Sequence, residues 1–457
     1  MNSFKLTIVA RALMPGVMFL GVLAAQLWLV AAAGTDIPFQ DQWDVEGRGL
    51  YPGMRDGSAA VSDLFKPHNE HRIAWTQALN RALFAANGQW DPLVQLTVGA
   101  LLHAAIAGAL AWLLGRGLSG GRRWACGLAV ALFSLPLPGW HNALWGFQTQ
   151  VYFVVLFAIG SFALLGAPTM SGGRAMAGWL LAGAAMLAMG PGLLAPPVLA
   201  AGLAWRMKRH EGRWLEWLAV VGLAVAAWLL YRVEPAHAGL RAGSLREFFV
   251  ALGRLLAWPH AGPWPAVVLN LPLALVASSR LMGKHIPAIG EDFVLLLSAW
   301  TLLVAAGAAW SRGGSPEFAA GVPSRYADFM ALLSLANVWC VLQLGRKAGL
   351  VAWIASAAWG LALFAGWTGL AAEVARGVIV PRAKDRDAPV RLVREFQRTG
   401  DAAVFAGQPR LLVPHPDPAA VRAVLTDPRM QGALPPSLQP ERPVGPLSRG
   451  VRKLLGR

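Results

Sequence analysis

Apolar stretches of about 18 or more residues recur along most of this sequence, separated by short basic turns. Each is long enough to cross ~30 Å of hydrocarbon as a helix. A chain patterned this way has few other choices, because backbone polar groups in a bilayer must be satisfied within their own segment. Composition agrees. Hydrophobic residues make up 56% of the chain and charged residues 14%, against roughly a quarter charged in soluble domains. Mean hydropathy is +0.48. We therefore expect an all-α polytopic membrane protein with about eleven transmembrane helices, anchored at the interfaces by many of its 21 Trp.

The basic turns set the orientation. Lys5 and Arg11 precede the first span, about Val9 to Ala33, and put its start in the cytoplasm. Arg116 with Arg122 and Arg123, then Arg174, Arg206–Arg213, Arg280 with Lys284, and Arg346-Lys347 all fall on that same side. The net charge of +16 is thus read as positive-inside patterning rather than a nucleic-acid surface. The first run resembles a signal peptide in its charges and its Ala31-Ala32-Ala33-Gly34 end. Its length favours an uncleaved span. Cys126 and Cys340 lie in apolar runs and read as buried small hydrophobes. Gly190-Pro191-Gly192 predicts a tight hairpin.

Residues 1–370 form the expected transmembrane domain, with a first outside loop at 34–91. An amphipathic stretch, Ile73 to Ala86, is expected as a helix in the interface. Ser244 to Trp258 reads as another helix, with Ser244 and Glu247 at capping-box spacing. Residues 371–457 are too polar to span. They are expected as a small appended domain or flap on the outer side, with short helices at Ala388–Arg398 and Pro418–Leu425. Arg376, Arg382, Lys384 and Arg386 then stand where positive charge is disfavoured, although long soluble segments translocate largely regardless of charge.

Chemistry concentrates in the first outside loop, which holds Asp36, Asp41, Asp44, Glu46, Asp56, Asp63 and Glu70 with His68, Asn69, His71 and Arg72. Asp41 and Asp44, three residues apart, share a face if helical. A partly desolvated carboxylate there is a candidate general base; the plainer reading is a solvated loop. His68 and His71 with Glu70 or an Asp form a weak metal candidate, because their spacing matches no zinc motif. They suit a sugar or phosphate as well, or a polar helix cap. Trp140, His141 and Asn142, followed by Trp145 and Gln148, offer ring faces and amides for a sugar, or an interfacial belt. Arg325 and Tyr326 suit a phosphate, or a helix end at the headgroups. No Gly-rich phosphate loop, Ser/His/Asp arrangement or CxxC pair is present. The spans carry few ionisable residues at mid-depth, which counts against proton-coupled transport.

Taken together, Asp41-Gln42-Trp43-Asp44, His68 to Arg72, Gly139-Trp140-His141-Asn142 with Trp145-Gly146-Phe147-Gln148, and Ser324-Arg325-Tyr326 resemble the GT-C class of integral membrane glycosyltransferases, in particular bacterial members with a first-loop D-x-W-D and an H-N-E-H-R box. The tail stretch from Pro414 to Leu438 resembles the end of the same group. The resemblance implies a sugar delivered on a polyprenyl-phosphate carrier at the outer face of the bacterial inner membrane, with a glycan, lipid or protein acceptor and no nucleotide. It implies Asp41 as general base, with Asp44 and Glu70 in reserve. Arg325, supported by Arg72, would take the departing phosphate, and His68, Asn69, His71, Trp140, His141, Asn142, Gln148 and Tyr326 would bind substrate with them. A divalent metal is used by some members of the class and not by others. Two other readings stand beside the transferase: a lipid-linked-saccharide flippase, and a non-catalytic envelope-assembly protein.

Overall fold

The computed structural model describes residues 2–167, 171–208, 213–283, 287–345 and 349–457, with backbone alone for residues 2–12. The predicted basic turns at Lys284 and Arg346-Lys347, the middle of Arg206–Arg213, and the Lys5 and Arg11 side chains lie outside the described residues.

Among the described residues the fold is helical apart from one hairpin of two-residue strands. Its main helices are α1 (Asn2–Ala33), α2 (Ala74–Asn87), α3 (Pro92–Gly115), α4 (Gly120–Phe133), α5 (Thr149–Leu165), α6 (Gly172–Met186), α7 (Ala195–Met207), α8 (Trp214–Leu230), α9 (Leu245–Ala257), α10 (Ala266–Leu281), α11 (Glu291–Arg312), α12 (Ala327–Leu344), α13 (Leu350–Val374), α14 (Ala388–Thr399), α15 (Pro418–Thr426) and α16 (Pro446–Leu454). A helix stands at each predicted span. Among the described residues, however, six segments have the length and apolarity to cross a membrane: Leu13–Ala33, Pro92–Gly115, Gly146–Leu165, Glu291–Arg312, Ser324–Leu344 and Leu350–Lys384. The others have 13 to 17 residues. At ~1.5 Å per residue these fall short of ~30 Å.

The helices share one apolar core. It buries Trp300 and Trp339, whose indole N–H groups donate to Pro191 O (2.9 Å) and Leu114 O (3.1 Å). These two Trp are core residues rather than interfacial anchors. Cys126 and Cys340 are buried. Gly190–Leu194 forms a 3-10 turn between α6 and α7 where the hairpin was expected. At α9, Ser244 Oγ accepts from Glu247 N (3.2 Å), while the Glu247 carboxylate accepts from Gly243 N (2.7 Å) rather than from the cap residue.

A second core lies beyond the ends of α1 and α3. It is built from Ile37, Trp43, Leu50, Tyr51, Phe84 and Trp90 of the first loop and from Val393, Phe396, Phe405, Val421, Val424, Met430 and Leu434 of the tail. The tail is therefore not a separate appended unit; it completes the first loop. α2 also departs from expectation. Its buried face is largely polar, with Thr76, Gln77, Asn80 and Asn87 inside, while Trp75, Ala82, Ala85 and Ala86 are exposed. The reason is what it faces: Thr76 Oγ1 meets Thr149 Oγ1 (3.0 Å), Asn80 donates to Glu46 (2.9 Å) and Asn87 to Ser448 Oγ (2.8 Å).

The basic residues of the tail find partners here. The last carbonyls of a helix have no intrahelical donor. At α1, Arg382 Nε donates to Ala33 O (2.8 Å), Arg386 to Ala31 O (3.2 Å), and Arg457 to Val30, Ala31 and Gly34 O (3.2, 2.7 and 2.9 Å). Cations also suit the negative end of the helix dipole.

Candidate functional site

The Asp41 carboxylate lies 3.4 Å from His68 Nε2. Asp41 follows Gln40, and His68 precedes Asn69. These flanking residues are the two non-glycine positions with left-handed φ among the described residues, at +50° and +52°. Such backbone costs of order 1–3 kcal/mol and persists where the surroundings enforce it. At Gln40 the N–H is held by Pro414 O of the tail (2.7 Å). At Asn69 the turn joins β1 (Pro67–His68) to β2 (His71–Arg72), with His68 opposite His71. Asn69 Nδ2 also stands 3.2 Å from His68 Nε2. That nitrogen accepts from Asn69 when unprotonated and faces Asp41 when it carries its proton.

From His68 a wall of rings leads to the connection between α4 and α5. His68 meets Phe147 edge-on (5.3 Å), Phe147 stacks on Trp145 (5.7 Å), Trp145 on His141 (5.1 Å), and His141 on Trp140 (4.9 Å). Phe39, two residues before Asp41, lies edge-on to Trp145 and His141. Burial pushes His141 down to about 3, helped by the charges of Arg325, Arg382 and Arg410. Its ring is therefore neutral at pH 7. Four side-chain atoms along this wall are buried without a protein partner: His141 Nε2, Asn142 Oδ1, Trp145 Nε1 and Gln148 Oε1. Buried polar atoms seldom stay unpaired, and this set mixes acceptors with a donor.

The wall joins the third segment through Ser324, whose Oγ accepts from His141 N (3.1 Å), and through Asn142, which donates to Arg325 O (3.1 Å) and Asp328 Oδ2 (2.7 Å). Arg325 lies over the Tyr326 ring (5.4 Å) and pairs with Glu317 (2.7 Å), which also binds Arg410 of the tail (3.3 Å).

The other expected residues are engaged elsewhere. Asp44 is bound by His415 Nε2 of the tail (3.0 Å) and Arg48 (3.3 Å). The His415 bond outweighs burial and holds Asp44 below the usual carboxylate range. Glu70 is bound by His237 Nδ1 (2.6 Å) and Arg312 (2.9 Å). Burial raises its pKa, but His237 and Arg312 outweigh it and leave the carboxyl lowered. Arg72 donates to Leu230 O (3.0 Å), capping α8 rather than joining Arg325. His71 packs against Gly190, and burial pushes it down to about 4. Glu70 thus pairs with Arg312 at the end of α11, whereas Arg325 pairs with Glu317. Among the described residues no cluster of three or more His, Cys, Asp or Glu is placed to hold a metal ion.

Two features escaped sequence reasoning. Glu46, in a π-helical stretch from Trp43 to Leu50, is buried with no cation beside it. It accepts from Gln95 (2.8 Å), Asn80 and Trp90 (2.9 Å each), Tyr51 (3.2 Å) and Gln42 (3.4 Å). Within the helices, His103 faces Asp328 (3.7 Å), bonds to Gln26 and stacks on Tyr152 (4.9 Å). His103, Asp328 and Tyr152 line a narrow cleft with about 20 Å³ of free space, room for little more than a water molecule. The few ionisable residues of the spans are thus partly gathered in one place. A helical wheel of α3 alone, with one His among apolar residues, gives no hint of the partner.

No family model matches the chain, and no curated protein matches it. Among solved structures it is similar to the apo crystal structure of the oligosaccharyltransferase of Archaeoglobus fulgidus, with a TM-score of 0.48 and 12% identity, over 87% of this chain. The chain spans 60% of the length of that protein. A likeness of this degree leaves the function to be argued from the site.

Proposed function

We propose that the chain is a membrane glycosyltransferase of GT-C type that moves a sugar from a polyprenyl-phosphate carrier to a glycan, lipid or protein acceptor of the cell envelope, at the outer face of the bacterial inner membrane. The observation that carries this reading is the Asp41–His68 pair. It is flanked by left-handed backbone on both sides and stands at the end of a wall of rings with unpaired polar atoms. Rings with adjacent donors and acceptors suit a sugar face.

In the proposed step Asp41 takes the proton of the acceptor hydroxyl. The hydroxyl oxygen bonds to the anomeric carbon as the bond from that carbon to the phosphate oxygen breaks. The electron pair leaves with the lipid phosphate, whose charge Arg325 and Arg410 stabilise. Phosphate is a good leaving group, so one base suffices. Asp44 and Glu70, each held by a cation, orient their surroundings. His68, His141, Asn142, Trp140 and Gln148 contact the sugars.

The test is sugar transfer by the purified chain from radiolabelled polyprenyl-phosphate sugars, with and without a chelator, beside mass spectrometry of surface glycans. Asp41→Asn is expected to lose at least ~10²-fold in rate, the lower end for general-base catalysis, while keeping its melting temperature. Full activity in Asp41→Asn removes Asp41 as base. A second reading, movement of a lipid-linked saccharide across the bilayer, draws on His103 and Asp328 inside the helices. It predicts relocation of labelled lipid in vesicles without a new glycosidic bond.

A further inference from the structure

The first loop and tail carry more positive charge than the α1 carbonyls use. Arg382, Arg386 and Arg457 are committed to those carbonyls, and Arg386 and Arg457 meet on the same oxygen, that of Ala31. Lys384 lies between two of them in sequence. Arg449 and Lys453 lie on α16, which ends three residues before Arg457. All three are exposed and make no ion pair among the described residues.

The position of α16 gives these charges a partner. Its end packs Leu455 against Val30, Leu93 and Leu96, with Leu27, Ala31 and Val451 around them. Leu27 lies six residues before the end of α1, ~9 Å into the span at ~1.5 Å per residue. The end of α16 is therefore set against the flank of two candidate spans, near the end of one and the start of the other. Its inward face holds Ser448, Leu455 and Arg452, the last bridging Asp36 (3.0 Å) and Asp91 (3.1 Å). Its outward face holds Arg449, Lys453 and Leu454, with Leu454 61% exposed. An exposed leucine beside cations, on a short helix whose end meets the flank of two candidate spans, fits an in-plane interfacial helix. The stems of Arg and Lys reach from such a helix to the phosphates.

We propose that Lys384, Arg449 and Lys453 form a binding collar for the headgroups of anionic phospholipids, with α16 lying in the interface beside α1. The collar shares no residue with the Asp41–His68 pair, and its ligand is a membrane lipid rather than a substrate. It holds the tail, and the core that the tail completes, against the bilayer surface.

The full chain, purified and delipidated in detergent, is titrated with phosphatidylglycerol and with phosphatidylcholine, and bound lipid is counted by native mass spectrometry. Phosphatidylglycerol is expected to bind at least tenfold more tightly. Each basic residue near an anionic surface accounts for about a fivefold change. The Lys384→Gln/Arg449→Gln/Lys453→Gln chain is thus expected to bind phosphatidylglycerol about 100-fold more weakly, with an unchanged melting temperature when delipidated. Arg174→Gln, at the other end of the helices, is expected to bind as the unsubstituted chain does. Equal binding of the two lipids, or full binding by the triple variant, overturns the proposal. Displacement of the lipid by millimolar inorganic phosphate overturns it too, because the site would then serve a soluble anion.

Discussion

Glu46 provides the sharpest test of the core that the first loop and tail share. Burial pushes its carboxyl from the ordinary 4.5 up to about 7, against the opposing pull of Gln95, Gln42, Tyr51 and Trp90. The folded state then holds a proton that the unfolded state releases between those values, so stability falls as pH rises from about 4.5 to about 7 and is flat above. The interval corresponds to ~3 kcal/mol at ~1.36 kcal/mol per pH unit. Glu46→Gln removes the titration. The cage accepts the amide by one rotation: Asn80 Oδ1, buried and unpartnered, turns toward the new N–H, while the glutamine oxygen keeps Trp90 and Gln95. Hydrogen exchange of peptides spanning 43–56, corrected for intrinsic rates, reads the local opening energy at pH 5 and pH 8. The unsubstituted chain is expected to lose protection on the order of 10²-fold between them; Glu46→Gln is expected to lose little and to exceed the unsubstituted chain at pH 8. Equal protection of the unsubstituted chain at both pH values, with Glu46→Gln weaker throughout, would refute the account and make Glu46 an ionised structural acceptor.

The His415–Asp44 bond joins tail to loop and titrates at both ends. His415 is raised, chiefly by the bond to Asp44, so its contribution is full below about 6.5 and lost as pH rises through the folded value; Asp44 is lowered, so its share is lost only in strong acid. Proteolysis at 407–416 is expected to be slower at pH 5.5 than at pH 8, corrected for the protease, and His415→Ala should abolish the difference. Gly190→Ala places a Cβ 2.6 Å from His71 Nδ1 and is expected to cost ~1–3 kcal/mol by melting. Adding His71→Ala should remove most of that cost, and additive effects would contradict the contact. Arg452→Gln leaves Asp36 and Asp91 buried without their shared cation and is expected to cost ~3–5 kcal/mol at pH 8. The loss should shrink toward pH 5, because burial already pushes Asp91 up to about 6; a pH-independent loss would contradict the pairing.

Sequence reasoning succeeded where the cause is local. Apolar period and length located the helices, and the Ser244–Glu247 spacing located the start of α9. It failed where partners are distant. Nothing near Glu46 announces Asn80, Trp90 and Gln95. Nothing near Glu70 announces Arg312, so a tied carboxylate looked like a free one. The polar side of α2 read as a water-facing surface because an amide aimed at a buried glutamate has the same composition as one aimed at solvent. For Asp41 and His68 the sequence offered the residues. The left-handed backbone beside each depends on contacts that periodicity does not encode, at Gln40 the carbonyl of Pro414.

The shared core has a consequence for biogenesis. Trp43 and Trp90 are synthesised early, whereas Val421, Val424 and Met430, which close over them, emerge only after most of the helices have been made. Until then the first loop waits with its apolar side uncovered and the end of α1 without its arginines. A chaperone that recognises exposed aromatic surface has its opportunity in that interval. A chain stopped before Ala388 would present that surface for as long as it lasts.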